Sequence, residues 1–93
     1  MTPKAIDFGK VETLRQHMLL TTGQMAQVMG VSRMTYYNWL RGKPVGKANG
    51  DNARQAIRTL IALMHEHQWP TDEVMGLSSK DRHERLLALI AAR

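Results

Sequence analysis

The sequence predicts an all-α protein, and three observations carry that expectation. Apolar residues recur at three- and four-residue spacing in each long segment. Those segments open on Ser, Thr or Asp, and the middle ones close on Gly or Pro, as helices do. No segment alternates apolar and polar residues as a half-buried strand would. At 93 residues with 43% hydrophobic content, the chain has material for one core and not two, and is too apolar for wholesale disorder.

The elements follow in order. Helix one is expected from about Phe8 to Leu19, with Asp7 as N-cap and Val11, Leu14 and Met18 on one side. Helix two opens on Thr21 with Gln24 three residues later, a capping-box pair, and ends at Gly30, which tolerates a left-handed backbone. Ser32 caps a third helix, from Arg33 to Leu40, that Gly42 can stop. At 100° per residue, Tyr36, Trp39 and Leu40 share one face of it. Met34, Tyr37, Asn38 and Arg41 share the other, with Arg33 at the boundary.

Gly42-Lys43-Pro44-Val45-Gly46 and Asn49-Gly50 break the pattern. Helix four then runs from about Asn52 to His67, with a stripe of Ala53, Ala56, Ile57, Leu60, Ile61 and Met64. Leu63 widens that stripe, so this helix is expected to meet two neighbours. Pro70 ends it, Thr71 to Gly76 form one helical turn, and a last helix starts after Ser78 or Ser79 with Ser78-x-x-Asp81 as cap. Residues 1–70, with the first four helices, thus make the main unit of a compact bundle of about five. Residues 71–93 append a C-terminal helix carrying Leu86, Leu87, Leu89 and Ile90, read as a dimerisation element of the same domain.

The net charge of +5 is placed unevenly. Residues 1–50 hold seven bases against Asp7 and Glu12, whereas residues 51–93 hold six bases and six acids. The stretch from Arg33 to Lys47 contains no acid. A polyanion such as nucleic acid is the natural partner of such a surface; an anionic membrane or a merely solvated basic face are the rivals. With no cysteine, a disulfide framework and a thiolate metal centre are excluded. Met1 to Asp7 lack the apolar run of a signal peptide, and no segment is apolar for long enough to span a bilayer, so a cytoplasmic protein is expected. His65 and His67, two residues apart, project from nearly opposite helix faces and do not share a metal; they complement a helix C-terminus instead. His17 and His83 have no nucleophile or carboxylate at a telling spacing. No phosphate-cradling glycine loop and no paired carboxylates are present. The reading is a non-enzyme without cofactor.

Two short helices crossing over a three-residue turn need a small residue at their approach, Ala26, a positive-φ residue, Gly30, and an inward apolar residue, Val31. The segment Leu20 to Lys43, LTTGQMAQVMGVSRMTYYNWLRGK, meets all three needs. It resembles the helix-turn-helix of the phage repressor and Cro family, over about residues 11–47. The resemblance rests on threonine at the cap, alanine inside the first helix of the pair, Gly-Val-Ser at the turn, and tryptophan then Arg-Gly-Lys at the exit. Leu14 and Arg15 also stand where that family carries a leucine and an arginine. Two positions depart from the pattern. Leu40 replaces the glutamate that in the family pairs with the helix-one arginine, which leaves Arg15 free for a phosphate. Tyr36 replaces a valine or isoleucine. The layout, closing on one more helix, is also similar to phage activators of the CII type.

The resemblance implies that Arg33, Met34, Tyr37 and Asn38 read bases in the major groove and that Thr22 approaches a phosphate. The side-chain chemistry agrees: arginine can bracket guanine O6 and N7, asparagine adenine N6 and N7, and Met34 or the Tyr37 ring a thymine methyl. Arg41, Lys43 and Lys47 suit phosphates, and the start of helix four near Asn52 is expected to add backbone amides. The bland readings are that Arg33, Asn38, Lys43 and Lys47 are solvated surface and that Met34 and Tyr37 pack on a neighbouring helix. Tyr36 and Trp39 are read as core. The expected function is sequence-specific regulation of transcription, repression first, by a homodimer on an inverted repeat of double-stranded DNA. A protein-interaction module on the same scaffold, and an architectural or recombination accessory factor, are the alternatives.

Overall fold

Five helices begin where a short polar side chain can take up free amides. Asp7 accepts from the amides of Gly9 and Lys10, Thr21 from Gln24, Ser32 from Thr35, Thr71 from Val74 and Ser78 from Asp81. In the Thr21 cap the Gln24 side chain returns the bond to the Thr21 amide, completing the reciprocal box. The computed structural model describes residues 6–93, so Lys4, counted among the bases above, lies outside it. Among the described residues there are six helices and no strand: α1 Phe8–His17, α2 Thr22–Met29, α3 Arg33–Leu40, α4 Lys47–Glu66, α5 Asp72–Met75 and α6 Ser79–Ala91. The expected all-α bundle is what forms, with α5 as the single turn anticipated between Thr71 and Gly76.

Two helix ends depart from expectation. α1 stops at His17 rather than Leu19, because Leu19 turns left-handed (φ 61°). The Leu20 amide then donates to Arg15 O and the Leu19 amide to Gln16 O, closing the end in the usual six-to-one and five-to-two pattern. The same device ends α4: Gln68 takes φ 53° and the Trp69 amide donates to Met64 O. It turns the Trp69 ring inward, where Nε1–H donates to Met18 O at 3.0 Å. One buried indole thus joins the ends of α1 and α4.

The second departure is larger. α4 starts at Lys47, five residues before Asn52, and runs straight through Asn49-Gly50. An internal glycine costs a helix about 1 kcal/mol relative to alanine. Here it is buried, and a Cβ on it would stand 3.4 Å from Val45 Cγ1 and 3.3 Å from the Arg54 guanidinium. Gly50 lets the preceding loop lie close on α4, so packing overrides its weak propensity.

α4 is the spine. Ala53, Ala56, Leu60 and Leu63 face a core shared with Met25, Ala26 and Met29 of α2, Tyr36 and Trp39 of α3, and Leu86 of α6. α2 packs on α3 and α4, α1 on α3, and α6 on α4 and α5. No described helix is long and apolar enough to cross a membrane.

Leu86 is fully buried within the single chain. The expectation that it forms a subunit interface is corrected: on α6 it points at α4 and completes the monomer's own core. His83, one turn earlier, is also buried; its Nε2 donates to Gln27 Oε1 of α2 at 3.2 Å, and Nδ1 has no partner. Burial pushes the imidazole below its usual pKa, against a smaller opposing pull from the Glu84 charge. The folded chain therefore prefers the neutral ring. As pH falls below about 6.5, the unfolded chain takes up a proton first and stability is lost down to the lower folded value. Urea melts should show a less stable protein at pH 5.5 than at pH 7.5, and His83→Gln should flatten that part of the profile. Identical slopes in both proteins would remove His83 from the account.

Candidate nucleic-acid interface

α2 and α3 are eight-residue helices joined by Gly30, Val31 and Ser32. Gly30 has φ 75°, which L side chains adopt at a cost, and its position lets the Val31 amide donate back to Ala26 O. Ala26 is buried where the two helices meet, and Met25, Met29, Tyr36 and Trp39 fill the space between them and α4. The Phe8 ring lies 5.6 Å from that of Trp39 and extends the packing to α1.

Burying that face of α3 turns the other outward. Arg33, Met34 and Tyr37 are exposed and Asn38 is half-buried. Met34 is 64% exposed, so most of its side chain faces solvent and not a neighbouring helix. Arg33 reaches back across the first turn of α2, with its Cδ 3.7 Å from where a Cβ on Gly23 would stand. Thr22 Oγ1 and Tyr37 Oη are 3.0 Å apart. Two hydroxyls that share one hydrogen bond leave one O–H still to be donated, so the pair presents a single outward donor. The structure thus brings five of the sequence-predicted residues, Thr22, Arg33, Met34, Tyr37 and Asn38, onto one surface.

Arg41, Lys43 and Lys47 are exposed beyond the C-terminus of α3. The ion pairs among the described residues involve Arg15, Arg54, Arg85 and Arg93. None uses Arg33, Arg41, Lys43 or Lys47, whose charges are left to solvent or a partner. The Arg41 and Lys43 amides both donate to Asn38 O, which fixes the exit of α3. Lys43 and Lys47 stand on the rim of a hollow of about 610 Å³ floored by Phe8, Trp39 and Gly50.

Asn52 does not do what was expected of it. It is the sixth residue of α4, not its start, and lines a separate hollow with Val28, Gly30 and Ile90. The free amides of α4 belong to the turn that begins at Lys47, which no side chain caps. The amide donors expected near Asn52 therefore stand beside the lysines.

Arg15 is a second correction. Its Nε and Nη2 donate to the two Glu12 oxygens, both at 2.8 Å, and Nη1 donates to Leu20 O at 2.9 Å. It is not free for a phosphate. Tyr36 Oη donates to the same carboxylate at 2.6 Å. Glu12 of α1 thus ties Arg15 of its own helix to Tyr36 of α3 through one carboxylate. The Arg15 guanidinium holds the Glu12 carboxyl below its usual range, with the Tyr36 hydroxyl helping against burial; burial and the carboxylate together push the Tyr36 phenol well up. Sequence reasoning passed over Glu12, although its i,i+3 spacing from Arg15 was the available signal. Among the described residues, no three metal-type side chains come together. Comparisons with family models, with curated proteins and with solved structures find no match.

Proposed function

We propose that the chain is a sequence-specific regulator of transcription that lays α3 in the major groove of double-stranded DNA, acting as a homodimeric repressor on an inverted repeat. One observation carries the reading: Arg33, Met34, Tyr37 and Asn38 form the outward face of a short helix whose exit is flanked by unpaired cations. An α-helix fits the major groove, and this set offers bidentate donors, an apolar contact and a hydroxyl. The cations hold phosphates and set the register without reading sequence. A single helix of eight residues reads few base pairs, so two-fold symmetry supplies the remaining specificity. With Leu86 inside the core, the dimer contact falls to exposed parts of the neutral half, where Met75 is 57% exposed.

Selection of binding sites from random duplex DNA tests the reading at once. A palindromic consensus supports it, and recovery of no enriched sequence overturns it. On the selected site, Arg33→Ala and Asn38→Ala should each cost about 1–3 kcal/mol and relax preference at one position per half-site. Binding to scrambled duplex should change much less. Equal losses on both duplexes would move these residues to the backbone.

A further inference from the structure

The stripe on α4 is wider than the core it serves. Ala53, Ala56, Leu60 and Leu63 are buried, but Ile57 and Met64 are half-buried and Ile61 is 40% exposed. With Leu14 of α1 and Ile6 they floor an open groove of about 660 Å³ between α1 and α4. From Arg54 to Met64 its α4 wall spans ten residue steps, about 15 Å at 1.5 Å per residue, or nearly three helical turns.

The rim is basic. Lys10, His17 and Arg58 stand along it. Lys10 and His17 have no acid partner among the described residues, and Arg58 meets only the neutral Gln55 amide. Arg54 is held by Asp51 at 3.5 Å, and Asp7, the rim's one acid, is occupied in capping α1.

We infer that this groove is a docking site for an acidic amphipathic helix of another protein. The apolar floor takes side chains at i, i+3 or i+4, and i+7, which a groove three turns long accommodates. The free cations select for acidic residues flanking those anchors and against basic ones. A second copy of this chain fits poorly: two-fold pairing across the groove brings one basic rim against another. The groove takes no residue from α3, but it shares Ile6 and Arg54 with the hollow rimmed by Lys43 and Lys47, so docking and DNA binding are read by separate titrations.

The test uses three synthetic twelve-residue peptides, capped at both ends: one with leucines at helical spacing flanked by glutamates, one with lysines in place of the glutamates, and one scrambled acidic. Binding is read by fluorescence anisotropy, and its location by amide and methyl shifts of the intact protein. The acidic amphipathic peptide should bind about tenfold or more tighter than the lysine peptide, each rim ion pair adding only a modest share. Shifts should centre on Leu14, Ile57, Ile61 and Met64. Ile61→Asp, at an exposed position that leaves folding intact, should weaken the acidic peptide about tenfold or more, and Lys10→Glu with Arg58→Glu should abolish or reverse the charge preference. Equal binding of the scrambled peptide, or shifts elsewhere, would overturn the proposal. So would self-association of the free protein that Ile61→Asp abolishes, since a second copy would then own the groove, or rim shifts produced by duplex DNA in place of the peptide.

Discussion

Leu86→Glu is expected to leave the chain unfolded rather than to produce a folded monomer. Leu86 is fully inaccessible and belongs to the same cluster as Leu60, Leu63 and Val74. Removing a buried leucine side chain costs about 2–5 kcal/mol, and an unpaired carboxylate placed there adds several more. The sum is comparable to the roughly 5–15 kcal/mol that holds a small domain together. Circular dichroism should show lost helicity, and sedimentation an expanded or aggregated chain. Leu86→Met, which conserves volume, should cost less than about 1.5 kcal/mol and keep the fold. Leu89 is only half-buried, so Leu89→Glu alone should give a destabilised but helical protein. A well-folded monomer from Leu86→Glu would contradict this account and return Leu86 to a subunit interface.

The misassignment of Leu86 shows where sequence pattern stops. Periodicity marks a residue as buried but not what buries it; Leu86 looks like surplus only until it is seen inside the core, with Leu89 and Ile90 packed against that core. Local chemistry was legible where side chains cap helices. Thr21 with Gln24, Gly30, Ser32 and Ser78 each act within three or four residues, and each does in the structure what its position suggests. The face of α3 followed from its geometry, since burying Tyr36 and Trp39 leaves Met34 and Tyr37 nowhere to go but outward.

Long-range chemistry was not legible. Tyr36 reaches Glu12 across 24 positions, Trp69 reaches Met18 across 51, and His83 reaches Gln27 across 56. No local spacing encodes those pairs. The start of α4 failed for a related reason: Gly46 caps it without a side chain, and Gly50 sits inside it with Val45 of the preceding loop packed close. The consequence for the candidate interface is specific. Arg15 is removed from it by Glu12, Asn52 by the earlier helix start, and the first turn of α4 enters beside Lys43.

Replacing Arg41, Lys43 and Lys47 together with alanine should have the largest effect on DNA binding with the smallest effect on folding. All three are exposed and none pairs with an acid among the described residues, so nothing in the fold depends on their charge. Each phosphate neutralised releases counterions and contributes about 0.9 to the slope of log K against log salt, so losing three should reduce its magnitude by about 2.7. Near 0.15 M salt the same counting gives about a hundredfold loss of affinity. That loss should fall equally on the preferred duplex and on a scrambled one, leaving their ratio unchanged, because phosphate contacts carry no sequence information. Melting temperature should move little. The contrast with Arg33→Ala and Asn38→Ala is the decisive part: those substitutions should change the ratio and hold most of the slope, whereas the triple substitution should change the slope and hold the ratio. An unchanged slope would show that the cations beyond α3 face solvent, and a loss confined to the preferred duplex would make them readers of bases.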